Sequence, residues 1–349
     1  MIYCPKGNTM FELGSIKTAL ITGASGFIGY HISQKLLDEG WRVIGIDCLS
    51  DYYDVSLKKR RENMLLQSDN FRSVHAKVEE KGLLHSIFEE ENPDVVIHLA
   101  AQAGVRYSID NPRAYLESNI IGTFELLEAA RVFPPKHMLL ASTSSAYGAN
   151  EKMPYRETDK ADHQMSFYAA TKKATESMSH SYAHLYGLPI TMFRFFTVYG
   201  PWGRPDMALF KFTKAILNDE AIDVYNYGKM SRDFTYIDDI SRAIRLIIEA
   251  VPEAAKVTRS NDSLSPVAPF RVVNIGNSEP IQLNEFIKAI ENEVGVTVKK
   301  NLLPMQAGDV PATWADISLL KSLTGFEPEI AVQEGVSRFL NWFRDYYKV

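Results

Sequence analysis

The sequence predicts an α/β protein: an open, doubly wound parallel sheet followed by a smaller C-terminal α/β domain. Apolar runs of strand length alternate with helical patterns as far as Phe195. A parallel sheet with helices on both faces accommodates that alternation. Past Phe195 the rhythm changes: Pro201 and Pro205 interrupt the chain, and helical patterns then alternate with short strands. At 349 residues the chain can hold two domains, or one large and one small, with a sizeable core.

Taken in order, Met1 to Ile16 carry no readable chemistry. Thr18 to Ile21 form the first strand, and a helical pattern resumes at Phe27, Ile28 and Ile32. Between them Gly23, Gly26 and Gly29 are spaced G-x-x-G-x-x-G. A strand, a glycine-rich turn and a helix N-terminus make a pyrophosphate cradle, because free backbone N–H groups and the positive end of the helix dipole face the anion. Bare glycine at the first two positions leaves the backbone open to phosphate, and Gly29 lets helix pack on strand. The next strand, Arg42 to Ile46, ends at Asp47, 18 residues after Gly29. An acid there binds the adenosine ribose hydroxyls and repels a 2′-phosphate, so the expected cofactor is NAD rather than NADP.

After Asp47 come a tyrosine-bearing loop and a charged helix, Leu57 to Leu66. Its basic run, Lys58 to Arg61, reads as a solvated face. Further strands are expected at Phe71–His75, Val95–Leu99, His137–Ser142, Ile190–Phe195 and Arg271–Ile275, with helices at His85–Glu91, Asn119–Arg131 and Tyr168–Tyr186. Helices at Leu209–Asn218 and Leu283–Glu293 belong to the second domain, whereas Tyr236–Ala250 and Arg271–Ile275 return to the first. Val257–Pro269, polar and with two prolines, reads as a surface loop.

Hydrophobic residues make up 46% of the chain and charged residues 23%, ordinary values for a soluble globular protein. A net charge of −5 gives no support for nucleic acid or an anionic membrane as partner. Cys4 and Cys48 make no disulfide framework and show no metal-ligand spacing. Met1 to Lys17 lack a long apolar core, which excludes a signal peptide or membrane anchor there. A reducing, cytoplasmic location is expected, with no metal.

Ligands of an open parallel sheet sit beyond the carboxyl ends of its strands. The Val95–Leu99 strand runs into Ala100, Ala101, Gln102, Ala103 and Gly104, small residues that let a cofactor approach the backbone. The next strand ends in Ser142, Thr143, Ser144 and Ser145, four adjacent hydroxyls at that edge. Tyr168 and Lys172 follow, four apart and so on one helical face. An ammonium beside a phenol favours the phenolate and lowers its pKa toward working pH, which suits a general acid/base.

With these motifs in view, the chain resembles the extended short-chain dehydrogenases/reductases, and among them the NAD-dependent nucleotide-sugar 4-epimerases. The similarity runs from about Ile16 onward. It rests on Gly23–Gly29 (GASGFIG), His98–Ser108 (HLAAQAGVRYS), Asn119–Thr123, Tyr168-x-x-x-Lys172, Arg194–Pro201 (RFFTVYGP) and Arg232–Asp239 (RDFTYIDD). Asp51–Leu57, Ala101–Arg106 and Arg204–Met207 make it most similar to the UDP-glucuronate 4-epimerases.

The resemblance implies a Rossmann sheet over residues 17–197, with 234–251 and 271–276 returning to it, as the NAD-binding domain. Residues 198–233, 252–270 and 277–349 then form the UDP-sugar domain. It implies Tyr168 as acid/base, Lys172 on the nicotinamide ribose, and Thr143 as a donor to the sugar 4-oxygen. Ser142 and Ser144 would place substrate or nicotinamide, and Thr197 and Arg232 would contact the diphosphate. Arg204, with Arg106 second, would meet the sugar carboxylate, because a planar guanidinium binds two oxygens at once. Gly23, Gly26, Phe27, Ile28, Gly29, Asp47, Leu99, Ala100 and Ala101, with Tyr168 and Lys172, would hold NAD, and Asn119 would support the active-site helix. A homodimer paired through the helices at Asn119–Arg131 and Tyr168–Tyr186 is implied too.

Four readings compete. A UDP-glucuronate decarboxylase resembles Ser-Thr-Ser-Glu in the hydroxyl-rich stretch, but Ser145 stands where the Glu would be. A 4,6-dehydratase carries Asp-Glu directly after the Thr, where this chain has Ser144 and Ser145. A UDP-glucose/UDP-galactose 4-epimerase stays open, since Arg204 and Arg106 are indirect evidence. A non-catalytic NAD-sensing scaffold is opposed by the intact Thr143, Tyr168 and Lys172.

Overall fold

A computed structural model describes residues 16–254 and 261–349. In chain order the elements are β1 (Thr18–Thr22), α1 (Phe27–Asp38), β2 (Arg42–Asp47), α2 (Val55–Leu65), β3 (Phe71–His75), α3 (Leu83–Glu91) and β4 (Val95–His98). Two single-turn helices follow, α4 (Tyr107–Asp110) and α5 (Pro112–Tyr115), then a π-helical turn (Leu116–Ile121) that runs into α6 (Gly122–Val132). Next come β5 (His137–Thr143), α7 (Phe167–Tyr186), β6 (Ile190–Phe195), β7 (Thr197–Tyr199), α8 (Ala208–Leu217), β8 (Ile222–Val224), β9 (Ser231–Tyr236) and α9 (Ile237–Ile248). The chain closes with β10 (Phe270–Ile275), β11 (Pro280–Gln282), α10 (Leu283–Val294), β12 (Lys300–Leu302), α11 (Ser318–Thr324) and α12 (Val332–Tyr347).

Seven strands form one sheet in the order β10-β6-β5-β4-β1-β2-β3, every neighbouring pair parallel. The expected doubly wound sheet is therefore present. Its central strands are buried on both faces: β4 and β5 have no exposed residue. That is why they read in sequence as near-continuous apolar runs rather than as alternation. The chain leaves β1 toward β2 on one side and toward β4 on the other. Crevices open at such a reversal, outside the strands' carboxyl ends. β10 adds to the far edge beside β6, and α9 packs on α1. Two smaller sheets, β11-β9-β7 and β12-β8, carry the later residues.

The long helices were legible because their apolar faces keep the helical period; α4, α5 and the π-helical turn were not. The expected helix from Asn119 begins in the π turn, and regular α-geometry starts only at Gly122. The basic run is not a solvated face. Lys58 is 5% exposed and Arg61 0%, leaving only Lys59 and Arg60 in solvent. Lys58 has local partners in Ser50, but Arg61 bonds to a loop 141 residues away, a contact that helical periodicity cannot register. The expected surface loop Val257–Pro269 is also corrected in part. Residues 257–260 lie outside the described residues, and beyond them Leu264, Ser265 and Ala268 are buried, because Ser265 N–H pairs with the Phe270 carbonyl and draws the segment onto β10. Met1 to Ser15 likewise lie outside the described residues.

Candidate active site

One cleft of about 1120 Å³ opens beyond the carboxyl ends of β1, β2, β4 and β5 and extends to the loops around α8, β8 and residues 308–313. The glycine turn forms its floor. Gly23 donates to the Ile46 carbonyl at 2.7 Å and adopts φ +73°, with the Leu99–Ala100 backbone so close that a Cβ would lie 2.8 Å from Ala100 N. At Gly29 a Cβ would lie 2.0 Å from the Gly23 carbonyl, so the first turn of α1 can close on the loop only without a side chain. α1 begins after Gly26 with no side-chain cap and no acid in its first turn. Its leading N–H groups therefore have no intrahelical acceptor, and Gly26, Phe27, Ile28 and Gly29 all line the cleft. Asp47 closes this end, its carboxylate accepting from Ser25 N at 3.1 Å and Leu49 N at 2.8 Å. Burial raises its pKa, opposed by those N–H groups and by the nearby charges of Lys58 and Arg61. An uncapped helix N-terminus beside a buried acid at the end of the second strand fits a dinucleotide.

The strip after β4 is fixed from below. Thr22 Oγ accepts from Ala100 N at 3.1 Å and lies 2.8 Å from His98 Nδ1. The His98 ring lies between this hydroxyl and Thr123 Oγ, which is 3.3 Å from Nε2. Burial first, then the charge of Lys172, lowers the His98 pKa to about 3, so the ring is neutral. Asn119 exchanges hydrogen bonds with the Gln102 backbone (2.8 and 3.1 Å) and donates to Thr171 Oγ at 3.0 Å. It ties the strip to α7 but does not itself line the cleft. Every other residue expected at the site does.

Thr143 ends β5 and caps the single 3-10 turn after it, accepting from Ser145 N at 3.2 Å. Across from it α7 starts at a Ser166 cap and presents Tyr168 in its first turn. Tyr168 lines the cleft and is partly exposed, yet burial of its hydroxyl raises its pKa. The hydrogen bond with Thr143 and the charge of Arg204 pull it back down. Burial is the largest influence on the phenol, Thr143 and Arg204 oppose it, and Lys172 is not among the leading influences. Lys172 is itself buried, which lowers its pKa to about 8 against the opposing charge of Glu176.

Ser142 also lines the cleft, but its hydroxyl donates to Glu176 Oε1 at 2.7 Å rather than toward a ligand. Glu176 lies one helical turn beyond Lys172. Its carboxylate accepts from Arg194 Nε at 2.9 Å and Nη2 at 2.8 Å, and from Lys173 at 3.1 Å. Ser142 and Arg194 are register partners on β5 and β6, which is why one carboxylate reaches both. Burial pushes the Glu176 pKa up, but Arg194, Lys173 and Ser142 outweigh it and hold it at about 2. Neither Glu176 nor Arg194 is apparent as a site residue in sequence. The available signal is the four-residue step from Lys172 to Glu176.

On the opposite wall Arg204 makes a two-pronged pair with Asp206, Nε–Oδ1 3.0 Å and Nη2–Oδ2 2.6 Å, and Tyr52 donates to the same carboxylate at 3.3 Å. Nη1 of Arg204 makes no hydrogen bond among the described residues. Arg232 makes no ion pair among the described residues. Its guanidinium donates to the carbonyls of Ser231 (2.9 Å), Pro311 (3.2 Å) and Val310 (2.8 Å). Its neighbour Asp233 accepts from the N–H groups of Asn277, Ser278 and Ala315 and holds that strand in place. Arg106 pairs with Asp309 at 3.2 Å across the mouth, and Thr197 lies between the two walls. No group of three or more His, Cys, Asp or Glu that could hold a metal occurs among the described residues.

Residues 20–339 match the sequence profile of the family described as GDP-mannose 4,6 dehydratase. The chain belongs to that family. Among its relatives, a probable UDP-glucuronate 4-epimerase of Rhizobium meliloti is 53% identical over 94% of this chain and 97% of the relative. UDP-glucuronate 4-epimerase 4 of Arabidopsis thaliana is 45% identical over 95% of this chain and 76% of its own length. The crystal structure of a UDP-glucuronic acid 4-epimerase from Bacillus cereus, in complex with UDP-glucuronic acid and NAD, superposes with a TM-score of 0.85. It is 32% identical and covers 95% of this chain and 100% of that one. These likenesses carry the resemblance to extended short-chain dehydrogenases/reductases over almost the full chain.

Proposed function

We propose that this protein is an NAD-dependent nucleotide-sugar 4-epimerase that interconverts UDP-glucuronate and UDP-galacturonate. The observation that carries this reading is the convergence, in one cleft, of Tyr168, Thr143 and Lys172 with a dinucleotide turn and three arginines. Gly23, Gly26, Phe27, Ile28, Gly29, Asp47, Leu99, Ala100 and Ala101 would hold NAD, with Lys172 at its nicotinamide ribose. Bound NAD supplies hydride transfer at sugar C4, first out and then back. Tyr168 takes the 4-hydroxyl proton as the alcohol is oxidised and returns it after the 4-keto sugar has turned over. Thr143 donates to O4, where negative charge develops, as preorganised donors do. Arg232 and Thr197 hold the diphosphate, so the sugar can turn while its nucleotide stays fixed. Nη1 of Arg204, aimed by Asp206, meets the sugar carboxylate, with Arg106 at the mouth.

A uronic acid oxidised at C4 is a β-keto acid and loses carbon dioxide readily, so the enzyme must hold the carboxylate away from the cleavage geometry; Arg204 is placed to do that. Hydroxyls alone follow Thr143 at the strand end, which leaves elimination and decarboxylation without an acid there. The seven-stranded unit serves NAD in this reading and the later segments serve the UDP-sugar. No helix among the described residues is long and apolar enough to cross a membrane, and Cys48 is a free thiol. A cytoplasmic enzyme fits both. Leu116, Ile121, Phe124 and Leu185, exposed on the π turn, α6 and α7, support a homodimer through that face. Tyr168→Phe tests the assignment: turnover is lost with NAD still bound, and near-normal turnover would remove Tyr168 as the acid/base.

A further inference from the structure

Arg61 of the basic run has no task in the proposed reaction, and its surroundings are unusual. It is fully buried, and among the described residues no carboxylate pairs with it. Nη1 donates to the Ser25 carbonyl at 3.0 Å and the Tyr53 hydroxyl at 2.8 Å. Nη2 donates to the Trp202 carbonyl at 2.6 Å and the Gly203 carbonyl at 3.3 Å. Ser25 lies inside the glycine turn, between Gly23 and Gly26. Trp202 and Gly203 immediately precede Arg204. One guanidinium therefore spans the loop that would hold pyrophosphate and the loop that would read the sugar.

A buried cation without a counter-charge is costly, and an apolar side chain would fill the space without that cost. The planar fork is what no other side chain supplies, because it reaches acceptors on two separate loops at once. The loop needs such a hold: Trp202 has φ +61°, a left-handed conformation that a bulky residue adopts only under constraint. His31 of α1 adds a second tie from the same side, Nε2 to the Pro201 carbonyl at 3.0 Å. The guanidinium also brings positive charge up behind the turn, close enough to act on Asp47.

We propose that Arg61 is a positioning residue that clasps the dinucleotide turn to the Trp202–Gly203 loop, so that NAD retention and the reading of the sugar carboxylate by Arg204 are coupled. The proposal rests on the roles given above to the turn and to Arg204. Arg61→Lys keeps the charge but cannot span both loops, and Arg61→Met loses both. For each, the NAD content of the purified protein and its NAD affinity are measured, together with KM for UDP-glucuronate with and without Arg204→Ala. Both variants weaken NAD binding about tenfold, and the rise in KM caused by Arg204→Ala in the parent shrinks to about twofold in the Arg61→Lys background. Parent NAD affinity, or an undiminished effect of Arg204→Ala, overturns the coupling and leaves Arg61 a packing residue.

Should the variants fail to fold, hydrogen exchange on the parent protein decides. Stripping NAD speeds exchange in the 201–207 segment, and unchanged exchange there refutes the clasp. NAD affinity and exchange do not depend on which sugar is turned over, so a failed UDP-glucuronate assay alone counts against the substrate, not against the clasp.

Discussion

At the scale of single residues, the chemistry rests on how protein surroundings divide charge among Tyr168, Thr143 and Lys172. Thr143 opposes the burial of the phenol, and in the proposed reaction it donates to O4, where negative charge develops. Thr143→Val therefore lowers kcat by about 10²-fold with little change in KM; a pure KM effect would mean ground-state binding instead. Lys172, with a pKa lowered to about 8, is charged below that pH and loses its proton above it. The pH profile of the free enzyme accordingly falls on the alkaline side near that value, and Lys172→Arg, if active, moves the limb upward. A limb that stays put would assign it to another group. Arg204 already spends Nε and Nη2 on Asp206, so in the proposed site its discrimination comes from Nη1. Arg204→Ala raises KM for UDP-glucuronate about tenfold more than for neutral UDP-glucose. Equal losses for both would show that it never touches the carboxylate.

At the scale of elements, the strand ends and the first turns of helices were legible because each carries its own local signal. The glycine turn sits between an apolar run and a helical period, and Tyr168 and Lys172 share a helical face. What escaped the sequence is what other elements decide. Ser142 looks like one more cleft hydroxyl until β6 brings Arg194 beside it and α7 lowers Glu176 onto both. Arg61 looks solvated until its acceptors arrive from a distant loop. Glu176 binds three donor residues in the interior, and Glu176→Gln leaves Arg194 without its counter-charge. We expect a loss of about 3 kcal/mol or more, read as a lower Tm. The pH dependence has a definite sign. Glu176 is held below its ordinary 4.5, at about 2, so its contribution is complete above pH 4.5 and is lost as pH falls toward 2. The variant shows a shallower loss of stability across that window; an identical slope would place the acid sensitivity elsewhere.

At the scale of the whole molecule, the doubly wound sheet puts cofactor and substrate chemistry at one crevice, and the segments after Phe195 supply its second wall. The sheet was legible from alternation alone, while the proposed division of labour between the two parts rests on which arginines the cleft gathers. The exposed apolar face of α6 and α7 belongs to this scale too. For the proposed homodimer, light scattering is expected to give a dimer for the parent and a monomer for Phe124→Glu; an unchanged mass would move the interface or remove it. The central claim is reached most directly by proton NMR of the purified protein with UDP-glucuronate and no added NAD. Conversion to UDP-galacturonate is the predicted result, and it also requires that NAD travels with the protein. UDP-xylose or its 4-keto precursor, with release of carbon dioxide, would contradict it, because decarboxylation would then proceed without an acid after Thr143.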